Sequence, residues 1–304
     1  MHRYMINFVK VAAAELFGPS KGRRTRRTFS GRTPSVMTFC WFVMLIFAGS
    51  FGVFADAVIP ANSASPSFVE VAPFSVTASG PNHRIWKQVM AQTNANGKII
   101  YHTNAFTELA SGLNHLVGNQ WVPSSENIQI TPDGGEATNG QHSVHFSANI
   151  NSTGCIDLVT PRGVHLRSTV LGLGYFDSAS GQSVVLAQLH DSIGQLLQTS
   201  NQVIYAGALA DLETNFQADV KYTHKKSGFE QDIVLRSQPP SPASLGLNPD
   251  TTTLQVWTEF YNTADPDIST NTVASLVPGS GQPERRILAN QILNFGAMQM
   301  DGSG

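Results

Sequence analysis

Two short runs constrain what this chain can fold into more than anything else in it. In Ala218-Asp219-Val220-Lys221-Tyr222-Thr223-His224 and Glu230-Gln231-Asp232-Ile233-Val234-Leu235-Arg236, apolar and polar residues alternate. Successive side chains of a strand point to opposite sides, so each run has one face to bury. Lys225-Lys226-Ser227-Gly228 reads as the hairpin loop between them. Ala218, Val220, Tyr222 and His224 then line one face, while Asp219, Lys221 and Thr223 line the other, which is expected to be solvated. The same pattern recurs along the chain. Ile99–His102 follows the turn dipeptide Asn96-Gly97, and Asn114–Val117 and Gln120–Val122 flank Gly118-Asn119. Further short β-rich runs fall at Asn127–Thr131, Ser143–Ala148, Cys155–Thr160, Gly163–Arg167, Ser183–Leu189, Gln202–Tyr205 and Leu254–Phe260. Strands at short spacing with turn residues between them predict a mainly β fold, an antiparallel β-sandwich-like domain. Helix is expected only near Arg84–Gln92 and Thr107–Ala110, too little to build an α/β core.

The amino terminus carries an address. Eight of the 19 Lys and Arg residues lie in the first 36 positions, against one acid, Glu15. An uncharged apolar run, 36–55, follows, with Phe39, Trp41, Phe42, Leu45, Ile46 and Phe47. A basic region before an apolar one is the order of an export signal. Ala55 and Ala57 put small residues where a signal peptidase reads them, so cleavage after Ala57 leaves 247 residues. The run also matches the roughly 20 apolar residues needed to cross a bilayer, so a signal anchor holding the chain in the membrane through 36–55 is the alternative. Thr25-Arg26-Arg27-Thr28-Phe29 resembles the twin-arginine motif, while the Phe- and Leu-rich apolar run favours an ordinary basic leader. The expected organisation is a leader at 1–57, a linker at 58–82 with a strand at Phe68–Val76, a β-rich domain at 83–237, a Pro-rich linker at 238–250 and a further, incomplete β segment at 251–304. From Val58 onward 11 basic residues face 19 acidic ones, a net charge of −8, which argues against a nucleic-acid surface.

Several blocks resemble the amino-terminal region of large bacterial surface proteins, some of which continue into Rhs or YD-repeat modules. They are Glu108-Leu109-Ala110-Ser111-Gly112-Leu113-Asn114, Asn119-Gln120-Trp121-Val122, Gly140-Gln141-His142, Ile156-Asp157-Leu158-Val159-Thr160-Pro161, Gly172-Leu173-Gly174-Tyr175-Phe176-Asp177 and Gly228-Phe229-Glu230-Gln231-Asp232. The resemblance implies secretion and a β-rich region, and it supplies no active residues. No YD-type repeat occurs in this chain.

The chemistries that leave a sequence signature find little here. His142 and His145 lie near Cys155, but residues three apart on a strand face opposite ways, and zinc needs three or four converging ligands. Asp265-Pro266-Asp267-Ile268-Ser269 with Asn271 is oxygen-rich, yet Thr270 stands where a calcium loop needs glycine and Leu276 where it needs glutamate. Ser111 and Ser180 precede glycines outside any nucleophile elbow, and His190-Asp191 are neighbours that face apart on a strand. Glu213, Asp219, Glu230 and Asp232 would serve a glycosidase only as a pair about 5 to 9.5 Å apart in a cleft. Trp121, Tyr175, Tyr205, Tyr222, Trp257 and Tyr261 could stack on sugar rings or pack in a core. Only Cys155 remains after cleavage, so no disulfide is expected. No catalytic residue, metal ligand or cofactor is assigned. The expected function is a non-enzymatic, secreted or cell-envelope module of a larger surface protein, structural or adhesive. Its partners are then downstream domains or surface glycans, and the alternative is a carbohydrate-binding or carbohydrate-active domain.

Overall fold

The computed structural model describes residues 2–6, 11–13, 68–211, 215–277 and 284–302. The leader site Ala55/Ala57, the apolar run 36–55 and Glu213 lie outside them. Two short strands come first, β1 (His2–Ile6) and β2 (Val11–Ala13). β3 (Phe68–Gly80), β4 (His83–Thr93) and β5 (Ile99–Leu109) form an antiparallel three-stranded sheet. β6 (Asn114–Val117) and β7 (Gln120–Pro123) form a hairpin. The large sheet contains β8 (Gln129–Thr131), β9 (Gly134–Ala137), β10 (Ser143–Ser147), β11 (Ile156–Val159), β12 (His165–Asp177), β13 (Gln182–Leu189), β14 (Gly194–Leu196), β15 (Gln202–Ala210), β16 (Gln217–Lys225), β17 (Gly228–Leu235) and β18 (Thr252–Tyr261). β19 (Asp267–Val277), β20 (Glu284–Asn294) and β21 (Gln299–Asp301) form a third antiparallel sheet.

β12 turns the large sheet into two layers. Its first residues pair with β11, from Val159↔His165 to Ile156↔Ser168, and its last with β13, from Gly172↔Gln188 to Asp177↔Gln182. The whole strand pairs with β18 on its other edge, with register shifts at Val170/Gly172. Such shifts bend a strand and let it pass between layers. Two glycines let neighbouring groups close on this strand. A Cβ on Gly174 would stand 2.5 Å from the Trp257 ring and 2.7 Å from the Val184 carbonyl oxygen, and one on Gly172 2.7 Å from the Ala187 carbonyl oxygen. Trp257 therefore lies across bare backbone. The layers face each other across Phe146, Ile156 and Leu158 on one side and Tyr205, Tyr222 and Phe229 on the other. Phe146 tilts against Tyr222 at 6.2 Å, Tyr222 stacks on Phe229 at 5.5 Å, and the Tyr205 hydroxyl donates to the Ser147 carbonyl at 2.6 Å.

The hairpin β16–β17 takes the register that alternation predicts, with Val220↔Ile233 and Lys221↔Asp232 opposite one another. Ala218, Val220, Tyr222 and His224 are buried. The other face is a correction, since Asp219 and Thr223 are buried too. A register shift between Tyr205 and Leu209 brings the Gly207 N–H onto Asp219 at 2.7 Å, and Arg236 closes on the same carboxylate at 2.7 Å.

Both helix expectations fail. Arg84–Gln92 lies within β4, and Thr107–Leu109 completes β5. β4 has a strand on each edge, β3 from Gly80↔His83 and β5 from His83↔Leu109, so its backbone groups go to neighbours rather than to its own turns. In the stretch 58–82 the strand expected at Phe68–Val76 is present and runs on to Gly80, and Pro73 falls where the ladder of this edge strand slips, between Ala72 and Ser75. Within 238–250 the chain makes a short 3-10 turn, Pro242–Leu245, capped by the Ser241 hydroxyl. The segment 251–304 divides, because β18 belongs to the large sheet while β19–β21 form their own.

The β3–β5 sheet stands apart from this core. Its base is tied down by Asn114, whose side chain donates to the Gly80 carbonyl at 2.7 Å and accepts from Arg84 at 2.9 Å. Beyond the base the side chains of β3 and β5 are open to solvent, with Val69 62% and Tyr101 66% exposed, while those of β4 are mostly half-buried. Trp86 stacks on Phe106 at 6.1 Å, and Phe74 meets Phe106 edge-on at 5.1 Å.

Candidate functional site

The fold leaves a cleft of about 290 Å3 lined by β11, β12, β17 and β18 of the large sheet. β11 and β12 supply Ile156, Leu158 and Leu166 to its floor, β17 supplies Phe229 and Asp232, and β18 supplies Thr258 and Phe260. Alternation explains the apolar floor, since Ile156 and Leu158 are two apart on β11 and share a face. The segment from Phe295 to Gly302 forms the remaining wall, with Phe295 tilted against Phe260 at 5.5 Å. Thr258 Oγ1 is buried with no hydrogen-bond partner among the described residues.

The strand edges beside this cleft accept other strands. β1 pairs antiparallel with β18, from His2↔Phe260 to Ile6↔Val256. β2 pairs with β17 in parallel, Val11 beside Ile233, Ala12 beside Val234 and Ala13 beside Leu235. An edge strand presents a row of backbone donors and acceptors, and pairing is how such a row is satisfied.

The residues singled out by sequence are used structurally. Asp219, Glu230 and Asp232 are each committed to a cation, respectively Arg236 at 2.7 Å, Lys225 at 2.5 Å and Lys221 at 3.0 Å. The Ser180 hydroxyl donates to Asp177, and Thr251 donates to the same carboxylate, which together hold its pKa down at about 2. Asp191 accepts from the side chains of Asn149 and Asn151 at 3.1 and 2.9 Å and does not orient His190. Asp267 opens β19. Ser111 lies in the turn between β5 and β6. Tyr175, Tyr205 and Tyr222 are core residues, Trp257 and Tyr261 are half-buried, and Trp121 is exposed on the β6–β7 hairpin.

His142, His145 and Cys155 do not converge. His145 is exposed on β10, Cys155 is wholly buried with its thiol pushed up to about 12 by desolvation, and His142 is buried elsewhere. The partner of His142 is His224, with ring centroids 4.9 Å apart. Sequence reasoning missed this pair, because the two residues sit on segments that meet only when the layers close. Desolvation, helped by the positive charge His224 would bring, lowers the pKa of His142 to about 4. Burial lowers that of His224 as well, against a hydrogen bond between its Nδ1 and the Glu126 carbonyl oxygen at 3.1 Å. Neutral rings pack at this spacing, whereas protonated ones would repel. Among the described residues no group of three or more His, Cys, Asp or Glu side chains could hold a metal ion. Comparison with family models, curated proteins and solved structures finds no match to this chain.

Proposed function

We propose that this chain is a non-enzymatic, exported β-rich module of a larger cell-envelope or extracellular protein, with a structural or adhesive role. The observation that carries the proposal is the division of labour between its polar and apolar groups. Asp219, Glu230 and Asp232 are bound by cations of the same hairpin or its immediate neighbour, while β3 and β5 offer Phe68, Val69, Val71, Ile99, Tyr101 and Phe106 to the surroundings. Large exposed apolar patches mark surfaces that meet other macromolecules. The basic leader, the apolar run and Ala55/Ala57 then deliver the module across a membrane. A glycan-stacking role has less to stand on, because Tyr175, Tyr205 and Tyr222 are packed inside.

Amino-terminal sequencing of the protein from fractionated cells tests this. The expected result is an envelope or medium fraction whose chain starts at Val58. A chain recovered only from the cytoplasm overturns export, and an intact leader in the membrane fraction overturns cleavage and makes residues 36–55 an anchor.

A further inference from the structure

One five-residue motif occurs twice in the chain. Phe8-Val9-Lys10-Val11-Ala12 and Phe68-Val69-Glu70-Val71-Ala72 differ only in Lys10 against Glu70. The first copy runs into β2, whose Val11 and Ala12 lie along β17. The second opens β3, which pairs with β4 on one edge and has no strand on the other among the described residues. Its side chains are exposed, Val69 at 62% and Val71 at 54%. Without β2, β17 is the last strand of the large sheet in the same way. Each edge is a template for the other, and β3 can use its open edge without giving up β4.

We propose that Phe68–Ala72 of one copy adds in parallel to β17 of a second copy, in the place that β2 holds within a single chain. The leader is then a removable occupant, and the repeated motif fills the edge that its removal opens. This rests on the leader cleavage proposed above. Donor and acceptor are different parts of the chain, so copies joined by it either close into a ring, of which the reciprocal pair is the smallest, or run on as an open filament. The single difference between the motifs sets the strength. Carrying the β2 register over places Val71 beside Ile233 and Ala72 beside Val234, which brings Glu70 level with Asp232. Asp232 is already paired with Lys221 at 3.0 Å, so Glu70 adds like charge, and the incoming strand is held less firmly than one bearing lysine there.

Disulfide trapping in envelope fractions tests the proposal. Two differently tagged full-length chains are co-expressed in a Cys40→Ser background, one with Ala72→Cys and the other with Val234→Cys. Cys155 is buried and its thiol resists ionisation, so it does not compete. The expected result is a linked pair carrying both tags, absent when either cysteine is missing. Val71→Asp on the donor is expected to lower the yield about tenfold or more, because it brings an unpaired charge against an apolar edge. Val71 is exposed within its own chain, so this change leaves folding intact. Glu70→Lys is expected to raise the yield. The same set is run with Ala12→Pro, which removes a backbone donor from β2 and frees the edge even where the leader stays on. Chains that start at Val58 and give no linked pair overturn the assembly and leave export standing. Intact leaders with linked pairs only in the Ala12→Pro background overturn cleavage and leave the edge pairing standing. A yield indifferent to Val71→Asp, or no linked pair in either background, overturns the pairing.

Discussion

His142 and His224 make the core sensitive to acid. The pKa of His142 is lowered from 6.5 to about 4 by burial, and that of His224 is lowered too. Between those limits the unfolded chain binds protons that the folded chain refuses, so stability is complete above about pH 6.5 and is lost as pH falls through the folded value. Each tenfold drop in proton affinity on folding is worth about 1.4 kcal/mol, so His142 alone accounts for a loss on the order of 3 kcal/mol. Urea midpoints measured from pH 7 to pH 4 are expected to fall over this range, and His142→Gln is expected to flatten the fall. A midpoint that held constant to pH 4 would contradict the burial of the pair. At this scale the sequence revealed which residues alternate but not which ones meet. His142 was legible as a residue without the converging partners a metal needs, and its neighbour 82 positions away was not legible, because no periodicity relates them.

The hairpin β16–β17 shows how far alternation reaches at the scale of one element. It predicts the buried set of β16 and its partner strand, since both follow from a period of two and a short loop, and the structure adds the pairing of Lys221 with Asp232. It misses the covering of the opposite face, because the irregularity after Tyr205 and the turn of Arg236 onto Asp219 have no period. The consequences differ in size. Val220 is wholly buried, and Val220→Asp, which places an unpaired charge there, is expected to cost about 4 kcal/mol or more and prevent soluble folding. Lys221→Ala leaves the Asp232 side chain, 8% exposed, without its cation, and is expected to cost about 1–3 kcal/mol. Urea unfolding of the soluble variant and the soluble yield of the other check both. A harmless Val220→Asp would mean that the strand is turned the other way. The failure at β4 is equally physical. Ile85 and Val89, or Trp86 and Met90, are four apart, a spacing that puts residues on one side of a helix and also on one side of a strand. Only the neighbours β3 and β5 decide between the two, and those pairings run across turns that local pattern does not weigh.

In the whole molecule, stability is unevenly distributed. Val170, Leu173, Tyr205, Val220 and Val256 are at or near zero exposure, whereas β3 and β5 are exposed along most of their length. Segments with few buried contacts open at lower free energy than the core. Amide hydrogen exchange of the unassembled chain is expected to release β3–β5 well before β12, β15 and β16, and equal protection throughout would show that the three-stranded sheet is covered. The mainly antiparallel fold was legible from the alternating runs and the turn residues between them. The joining of β18 to β12 was not, because it links positions from 75 residues apart, at Asp177 and Thr252, to 94 apart, at Arg167 and Tyr261. That separation matters most while the chain is being made, amino end first. β12 emerges long before its partner, and contacts so distant in sequence form late. Through that interval the strand that turns the corner between the layers waits with one side unclad, Val170 and Leu173 among its residues. The time between the emergence of Asp177 and that of Thr252 during synthesis is therefore when a protease or a misplaced strand has its best opportunity, and the speed of synthesis past the proline-rich stretch at 238–250 decides how long it lasts.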